Sequence, residues 1–189
     1  ITIENVTGIH YIIVEACDKT GNCQKIVSNP YYLDNTAPTI TYGTNGNSTY
    51  AKSHSTTVTA TDSHSTLNTL KYITGTSSTA TPTTDIASGG TVSLNGLTGD
   101  YYVIVKACDK AGNCTTLSSN VFKMDNTAPT IVYGTNGNST YAKSRSTTVT
   151  ANANTGSIVS LKYIVSTDKN DTPTTDIANG GTVTISGVT

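Results

Sequence analysis

The chain repeats itself every 91 residues without an insertion or a deletion. Residues 16–23 read ACDKTGNC and residues 107–114 read ACDKAGNC, so Cys17 and Cys108 occupy the same point of the repeat. The 21 residues that begin at Leu33 return at Met124 with two changes. A fixed period of this length is typical of tandem copies of one small domain, in which function lies in the array rather than in one pocket. The repeat therefore favours a structural or adhesive protein over an enzyme.

The repeat phase divides the chain into three parts. With the boundary at the DNTAPT segment, residues 1–33 are the C-terminal part of one repeat, 34–124 a complete repeat and 125–189 the N-terminal part of a third. A piece below roughly 40 residues rarely buries a core alone, and the last part lacks the counterpart of residues 99–124, the most apolar part of the repeat. We expect both end parts to need completion, by neighbouring repeats of a longer array or by identical chains arranged end to end.

The charge pattern argues against two classes of partner. Charged residues make up 12% of the chain, the formal net charge is −1, and the sequence contains no basic or acidic run. Electrostatic binding to nucleic acid or to an anionic membrane surface is therefore not expected. The longest apolar run, YYVIV at 101–105, is far shorter than the ~20 residues that a membrane helix needs. We expect no membrane insertion of this stretch of chain.

Short alternating runs between turn residues predict an all-β fold. The runs with strand character are PTITY at 38–42, TTVTATD at 56–62, TLKYIT at 69–74, GTVSLNGL at 90–97, YYVIVKAC at 101–108 and CTTLSSNVFKM at 114–124. The segment GTNGNST after the first run is interpreted as a turn. About seven strands joined by hairpins predict an immunoglobulin-like β-sandwich, repeated in tandem in an extended array. Alternation predicts that Val58 and Ala60 face the core, and that Val92 and Leu94 do so as well.

The cysteines form two pairs at the same place in the repeat, Cys17 with Cys23 and Cys108 with Cys114. An even count in a Thr- and Ser-rich β-type chain favours disulfides and an oxidising, extracellular location. Each pair flanks a five-residue turn, and opposed positions of an antiparallel hairpin bring the two Cβ atoms close enough to bridge. The alternatives are zinc and free thiols. Zinc usually needs two further ligands near a shorter cysteine spacing, and no histidine recurs between copies.

Two short motifs resemble a known family. Residues 34–38 and 125–129 both read DNTAP, while residues 18–22 and 109–113 read DKTGN and DKAGN. They are similar to the D-x-T-A-P segment and the D-x-A-G-N turn of bacterial immunoglobulin-like repeats in large cell-surface adhesins and stalk proteins. The resemblance implies a semi-rigid extracellular stalk or filament on a bacterial surface. In the alternative function that it allows, loop tips bind host or environmental glycans or proteins.

The resemblance also suggests which residues act at the junctions between repeats. Pro38 and Pro129 restrict the backbone there, next to Asp34 and Asp125. Some relatives hold Ca²⁺ at such junctions, and the candidate ligands here are Asp18, Asp34, Asp109 and Asp125. A calcium site takes 6–8 oxygen ligands, usually with several carboxylates, whereas each copy has few acidic residues and no D-x-D run. The sequence therefore favours aspartates that accept hydrogen bonds from turn amides. It predicts no metal and no cofactor, with calcium as the alternative.

No constellation of catalytic residues is evident in the sequence. None of the serines lies in a G-x-S-x-G motif, and His10, His54 and His64 are each replaced in the neighbouring copy. We expect the chain to have no enzymatic activity. Copies differ most at 61–69 against 152–160 and at 74–80 against 165–171. These stretches flank the third strand of each repeat, and they are where a ligand contact would differ between copies.

Overall fold

Strands and their connecting turns account for residues 1–187, the part of the chain that this computed structural model describes. The prediction of an all-β fold is confirmed, and no helix in that range is long and apolar enough to span a membrane. The chain forms two compact units, one of Ile1–Met124 and one that begins at Asp125. The boundary expected after residue 33 lies within the first unit, and the division into three repeat parts stays a prediction.

Residues 1–33, here called the N-terminal segment, form two antiparallel strand pairs. The strands are β1 (Gly8–His10), β2 (Ile13–Cys17), β3 (Cys23–Val27) and β4 (Tyr31–Leu33). β1 pairs with β4, and β2 pairs with β3 across the turn that contains residues 18–22. Most side chains of these strands are exposed. The segment therefore has backbone order without a core of its own.

Residues 34–124, the central module, contain two sheets. Their strands are β5 (Thr39–Tyr42), β6 (Asn47–Ala51), β7 (Ser53–Thr61), β8 (Leu67–Gly75), β9 (Thr84–Asp85), β10 (Gly90–Asn95), β11 (Gly99–Asp109), β12 (Cys114–Ser118) and β13 (Phe122–Met124). One sheet has the antiparallel order β10-β7-β5. The other has the order β6-β13-β11-β8-β9, with β12 pairing along the same edge of β11 as β13.

Alternating side chains from both sheets build one core. Val58 and Ala60 of β7 are 0% and 3% exposed, while the alternate residues Thr57, Thr59 and Thr61 face solvent. Val92 and Leu94 are each 1% exposed, as the alternation predicts. The rest of the core is Ile40, Leu70, Val103, Val105, Ala107, Phe122 and Met124. Since this cluster draws on inward positions of both sheets, the sheets pack face to face around it.

One sequence prediction about the module is wrong. The segment GTNGNST was interpreted as a turn, but its second half begins β6, which pairs in parallel with β13 through Asn47 opposite Phe122 and Ala51 opposite Met124. The backbone N–H of Asn47 also donates to Val121 O at 2.8 Å. The strand depends on this distant partner rather than on a local strand signal.

The C-terminal unit, described from residue 125 to residue 187, has fewer and shorter strands than the central module. They are β14 (Thr130–Tyr133), β15 (Ser144–Asn152), β16 (Lys162–Tyr163), β17 (Thr175–Asp176) and β18 (Gly181–Ser186). β14, β15 and β18 form one antiparallel sheet, and β16 and β17 form a pair. Its buried hydrophobic residues are Val149, Ala151, Leu161 and Val183. Among the described residues, this core has four buried hydrophobic side chains, whereas the core of the central module has eleven.

Candidate functional site

Three carboxylates meet at one end of the central module. Asp34 precedes β5, Asp62 follows β7 and Asp109 ends β11. One carboxylate oxygen of each lies within 4.8 Å of the others. Asp109 is 1% exposed, and the other two are partly buried. Three acidic groups this close repel one another unless hydrogen-bond donors or a cation balance them.

The turn between β11 and β12 holds Asp109 in place. The Asp109 carboxylate accepts hydrogen bonds from the backbone N–H groups of Gly112 at 2.7 Å and Asn113 at 2.8 Å, and from Asn113 Nδ2 at 2.9 Å. Burial raises the pKa of Asp109, but these donors outweigh it, so the pKa lies below its usual value. Gly112 adopts a φ of 101°, which favours glycine over other residues in this turn.

The loop after β7 brings the other two carboxylates together. Asp34 accepts from the N–H of Thr36 at 2.9 Å and from that of Ser65 at 3.1 Å, and Asp62 accepts from the same Ser65 N–H at 2.8 Å. The Ser65 hydroxyl, followed by the Thr36 N–H, keeps the pKa of Asp34 below its usual value. Asn113 Nδ2 donates to the backbone oxygen of Asp34 at 3.0 Å and so ties the β11–β12 turn to the start of the module.

Two buried polar atoms of this cluster remain without a hydrogen-bond partner. They are Oδ2 of Asp62 and Oγ of Ser65. The Ser65 hydroxyl lies near enough to lower the pKa of Asp34, yet no acceptor around it satisfies hydrogen-bond geometry. Buried polar atoms are normally satisfied by protein, water or an ion. Oxygen donors with two open positions suit a hard divalent cation, so the residues present fit such a group.

The repeat-equivalent aspartates have different surroundings. Asp18 accepts from the N–H groups of Thr20 at 2.8 Å and Asn22 at 2.9 Å, and from Asn22 Nδ2 at 2.8 Å. The Asn22 side chain, followed by Thr20, strongly lowers the pKa of Asp18. Asp125 accepts a short hydrogen bond from the Thr155 hydroxyl and one from the Thr127 N–H at 2.9 Å, and both lower its pKa.

Of the four candidate aspartates, the structure therefore brings Asp34 and Asp109 into one cluster, and Asp18 and Asp125 do not belong to it. Sequence reasoning missed Asp62. Its repeat counterpart is Ala153, within the stretch where the copies diverge, and that replacement was the available signal. The expectation that these aspartates accept turn amides also describes Asp18, Asp34 and Asp109 accurately.

Both cysteine pairs form disulfides. Cys17 and Cys23 are joined with a Cα–Cα distance of 4.0 Å, and Cys108 and Cys114 with one of 4.1 Å. Each pair lies at directly opposed positions of its hairpin. Two disulfides indicate a non-reducing environment for the chain.

The junction around Asp34 is hydrogen-bonded to the N-terminal segment as well as to the central module. The Asn35 N–H donates to the Thr7 hydroxyl at 3.0 Å, and Asn35 Nδ2 donates to Val6 O at 2.7 Å. Pro38 is fully buried, whereas its counterpart Pro129 is exposed. These bonds restrict how the N-terminal segment moves against the central module.

Comparison of the chain with protein-family models, with curated proteins and with solved structures gave no match.

Proposed function

We propose that this chain is a stretch of an extracellular structural array, built from immunoglobulin-like β-sandwiches that recur every 91 residues and form a semi-rigid stalk or filament on a bacterial surface. The observation that carries the proposal is the identity of strand register between copies. Ile13 opposes Val27 and Cys17 opposes Cys23 in the N-terminal segment, and the residues 91 positions later pair in the same way. Repetition of architecture without a recurring chemical centre suits a spacer.

The junction supports the semi-rigid part of this proposal. Asn35 bonds to Val6 and Thr7 on one side, while the Asp34 backbone oxygen accepts from Asn113 on the other. A short linker with side-chain bonds in both directions and a buried Pro38 samples few orientations. The Cys108–Cys114 disulfide closes a short loop in a module with no tryptophan in its core.

Small-angle scattering of the purified chain tests the rod. At high dilution we expect a maximum dimension well above that of a compact protein of 19.6 kDa. The cross-section should match a single two-sheet module. A compact, globular particle with its central module intact would contradict the proposal.

We also propose that a divalent cation binds at this junction, and that it is calcium because the site offers oxygen ligands. Asp34, Asp62 and Asp109 would hold it, with the unpartnered Oδ2 of Asp62 and the Ser65 hydroxyl as open donors. Its charge would offset the repulsion between the carboxylates and stiffen the start of the module. The test is the melting temperature of the module in calcium and in chelator. The wild type should melt higher in calcium, and Asp62→Ala should abolish the difference. Equal melting of the wild type in both buffers would refute the cation.

The alternative function is adhesion through loop tips. The stretches 61–69 and 74–80 differ from their counterparts at 152–160 and 165–171, although strands around them are nearly identical. These stretches comprise the loops on either side of β8 together with the two ends of that strand. Change concentrated beside one strand on a similar scaffold is also the pattern of a binding surface. Binding of the purified chain to a glycan array or to cells would support adhesion. No binding signal from a folded chain would favour the spacer.

A further inference from the structure

Four asparagines of the chain are followed directly by glycine. They are Asn45, Asn95, Asn136 and Asn179. Because glycine carries no side chain, its backbone nitrogen can approach the side-chain carbonyl carbon of the preceding asparagine and attack it. The attack requires that both groups are free of hydrogen bonds and that the backbone can turn toward the side chain. The sequence therefore supplies four similar sites, and the fold decides which of them reacts.

The fold holds Asn45 on both sides of its dipeptide. Asn45 Oδ1 accepts a hydrogen bond from the Asn120 N–H at 2.7 Å. The next residue, Gly46, is enclosed, since a Cβ added to it would lie 2.7 Å from Val121 O. The following residue, Asn47, donates its N–H to the same Val121 O at 2.8 Å. Attack at Asn45 therefore requires β6 to separate from β13 first.

The fold also holds Asn179, through both of the groups that would react. Its side-chain amide accepts from the Ala151 N–H at 2.8 Å and donates through Nδ2 to Ala151 O at 2.8 Å. The attacking nitrogen is occupied as well, because the Gly180 N–H donates to Val149 O at 2.9 Å. Attack at Asn179 therefore requires three hydrogen bonds to break.

The arrangement around Asn179 is a regular part of the repeat. In the central module Ser88 has the place of Asn179, and its hydroxyl bonds to both the N–H and the backbone oxygen of Ala60. The Gly89 N–H donates to Val58 O at 2.8 Å, as its counterpart does in the C-terminal unit. The protection of Asn179 is thus a property of the sandwich itself.

Asn95 is the dipeptide that the fold leaves accessible. It ends β10 opposite Ser53, and it is exposed. Within residues 1–187, neither its side-chain amide nor the Gly96 N–H has a hydrogen-bond partner. Gly96 has a φ of 67°, and a Cβ added to it would meet no atom within 4 Å. The carbon that is attacked and the nitrogen that attacks are therefore both free to react.

We infer that Asn95–Gly96 is a site of spontaneous covalent modification, at which asparagine becomes aspartate or isoaspartate without an enzyme. The Gly96 nitrogen forms a bond to Cγ of Asn95 and loses its proton, and the side-chain nitrogen leaves as ammonia. Water then opens the resulting succinimide ring. Opening at the side-chain carbonyl gives aspartate. Opening at the backbone carbonyl gives isoaspartate, in which the main chain runs through the side-chain carbon. Water is the only co-reactant.

The repeat indicates that the fold accepts the aspartate product. The counterpart of Asn95 in the N-terminal segment is Glu4, which places a carboxylate at the same point. The counterpart of Gly96 is Asn5, which has a φ of 56°. The turn therefore keeps its backbone conformation beside a carboxylate. We expect aspartate at position 95 to leave the module folded and to add one negative charge next to the turn between β10 and β11.

Comparison of rates within one folded chain tests the inference. The purified chain is held at mildly alkaline pH, sampled over time and digested with trypsin, which places each Asn-Gly dipeptide on a different peptide. Mass spectrometry then measures conversion at each site. Asn95 should convert at least ~10-fold faster than Asn45 and Asn179, because those two sites must open locally before attack. Asn136 is not scored, because the counterpart of Asn120 lies beyond residue 189.

Unfolding provides the first control. In concentrated urea, Asn45, Asn95 and Asn179 should convert at rates within ~3-fold of one another, since the bonds that protect two of them are gone. If Asn95 were faster than the other two by the same factor in urea as in buffer, its preference would come from the local sequence. That result would overturn selection of the site by the fold.

Substitution of the glycine provides the second control. Gly96→Asn introduces the residue that the repeat has at position 5 with a positive φ, so the turn should be kept. The added side chain shields the backbone nitrogen, and conversion of Asn95 should slow at least ~5-fold while the melting temperature stays within about 2 °C of the wild type. An unchanged rate at Asn95 in this variant would overturn attack by the Gly96 nitrogen.

The product is identified with a variant that carries it from the start. Asn95→Asp should elute from an anion exchanger together with the aspartate form of the converted wild type, and its melting temperature should lie within about 2 °C of the wild type. Electron-transfer fragmentation separates aspartate from isoaspartate in the same peptide. An acidic form that carries its change at another residue would count against the assignment to Asn95.

The outcomes are independent of the proposed function, because the reaction needs only the folded module and water. Conversion of Asn95 no faster than that of Asn45 and Asn179 in the folded chain would overturn the inference while leaving the rod intact. A compact particle in small-angle scattering would overturn the rod while leaving the modification of Asn95 in place.

Discussion

Removal of the Cys108–Cys114 disulfide should destabilise the central module by an amount that follows from the loop it closes. The two cysteines are six residues apart. For a loop this short, the chain-entropy treatment gives about 2 kcal/mol at 25 °C. In a module of this size, that corresponds to a fall of about 10 °C in the melting temperature. The double variant C108A/C114A should show this shift in the calorimetric transition assigned to the module.

The second disulfide provides the matched comparison. Cys17 and Cys23 have the same separation, so the constraint on the unfolded chain is equal in C17A/C23A. The N-terminal segment, however, adds no residue to the main core. This variant should therefore move the module transition by less than about 2 °C. Equal shifts of the melting temperature in the two variants, or no shift in C108A/C114A, would show that the Cys108–Cys114 disulfide does not stabilise the core to which its hairpin belongs. Hydrogen exchange along β11 provides an independent readout.

Three further results are expected. Tyr42→Phe should cost about 1–2 kcal/mol in urea unfolding, because the Tyr42 hydroxyl lies 2.8 Å from the backbone oxygens of Val103 and Leu117 and its single proton is donated to one or shared between them. Tyr133→Phe should change little, because Tyr133 is 50% exposed. The module should lose stability on acidification, since the folded-state pKa of Asp109 is lowered: its contribution is complete above the unfolded value of about 3.9 and disappears as pH falls through the folded value. In Asp109→Asn, the free energy of unfolding should depend less steeply on pH in this acid range. An unchanged pH dependence would contradict the attribution of this effect to Asp109. Phe122→Ala should cost about 3–5 kcal/mol, whereas Tyr31→Ala at the same repeat position should leave the module transition in place, with differential scanning fluorimetry sufficient to tell the two apart.

The sequence predicts the regular part of this fold well because the signal there is local. Alternation in β7 and β10 places Val58 and Leu94 inward, and both are buried. The repeat itself indicates which cysteines pair, since each pair flanks the same short turn. These features depend only on residues within a few positions of one another.

The parts that the sequence did not reveal depend on distant partners. β6 forms because its backbone lies along β13, and Gly46 just before it approaches Asn120 and Val121 so closely that an added Cβ would lie 2.6 Å from the Asn120 Cβ. Asp62 joins Asp34 and Asp109 from the end of a different strand, so no local spacing connects the three. The absence of β6 from the identical residues of the C-terminal unit shows the same dependence.

The positions where the chain enters and leaves the central module determine how a pulling force would act on it. Asp34 lies by the Asp109 end of β11 and Met124 by its Gly99 end, so a force applied between these two points runs parallel to the strands. The ladder bonds of β13 with β6 and β11 are transverse to that direction and would be loaded together rather than one at a time. Rupture under load would then be governed by the unfolding rate of the whole module. The Cys108–Cys114 bridge would withhold only about 20 Å of chain from the extended length.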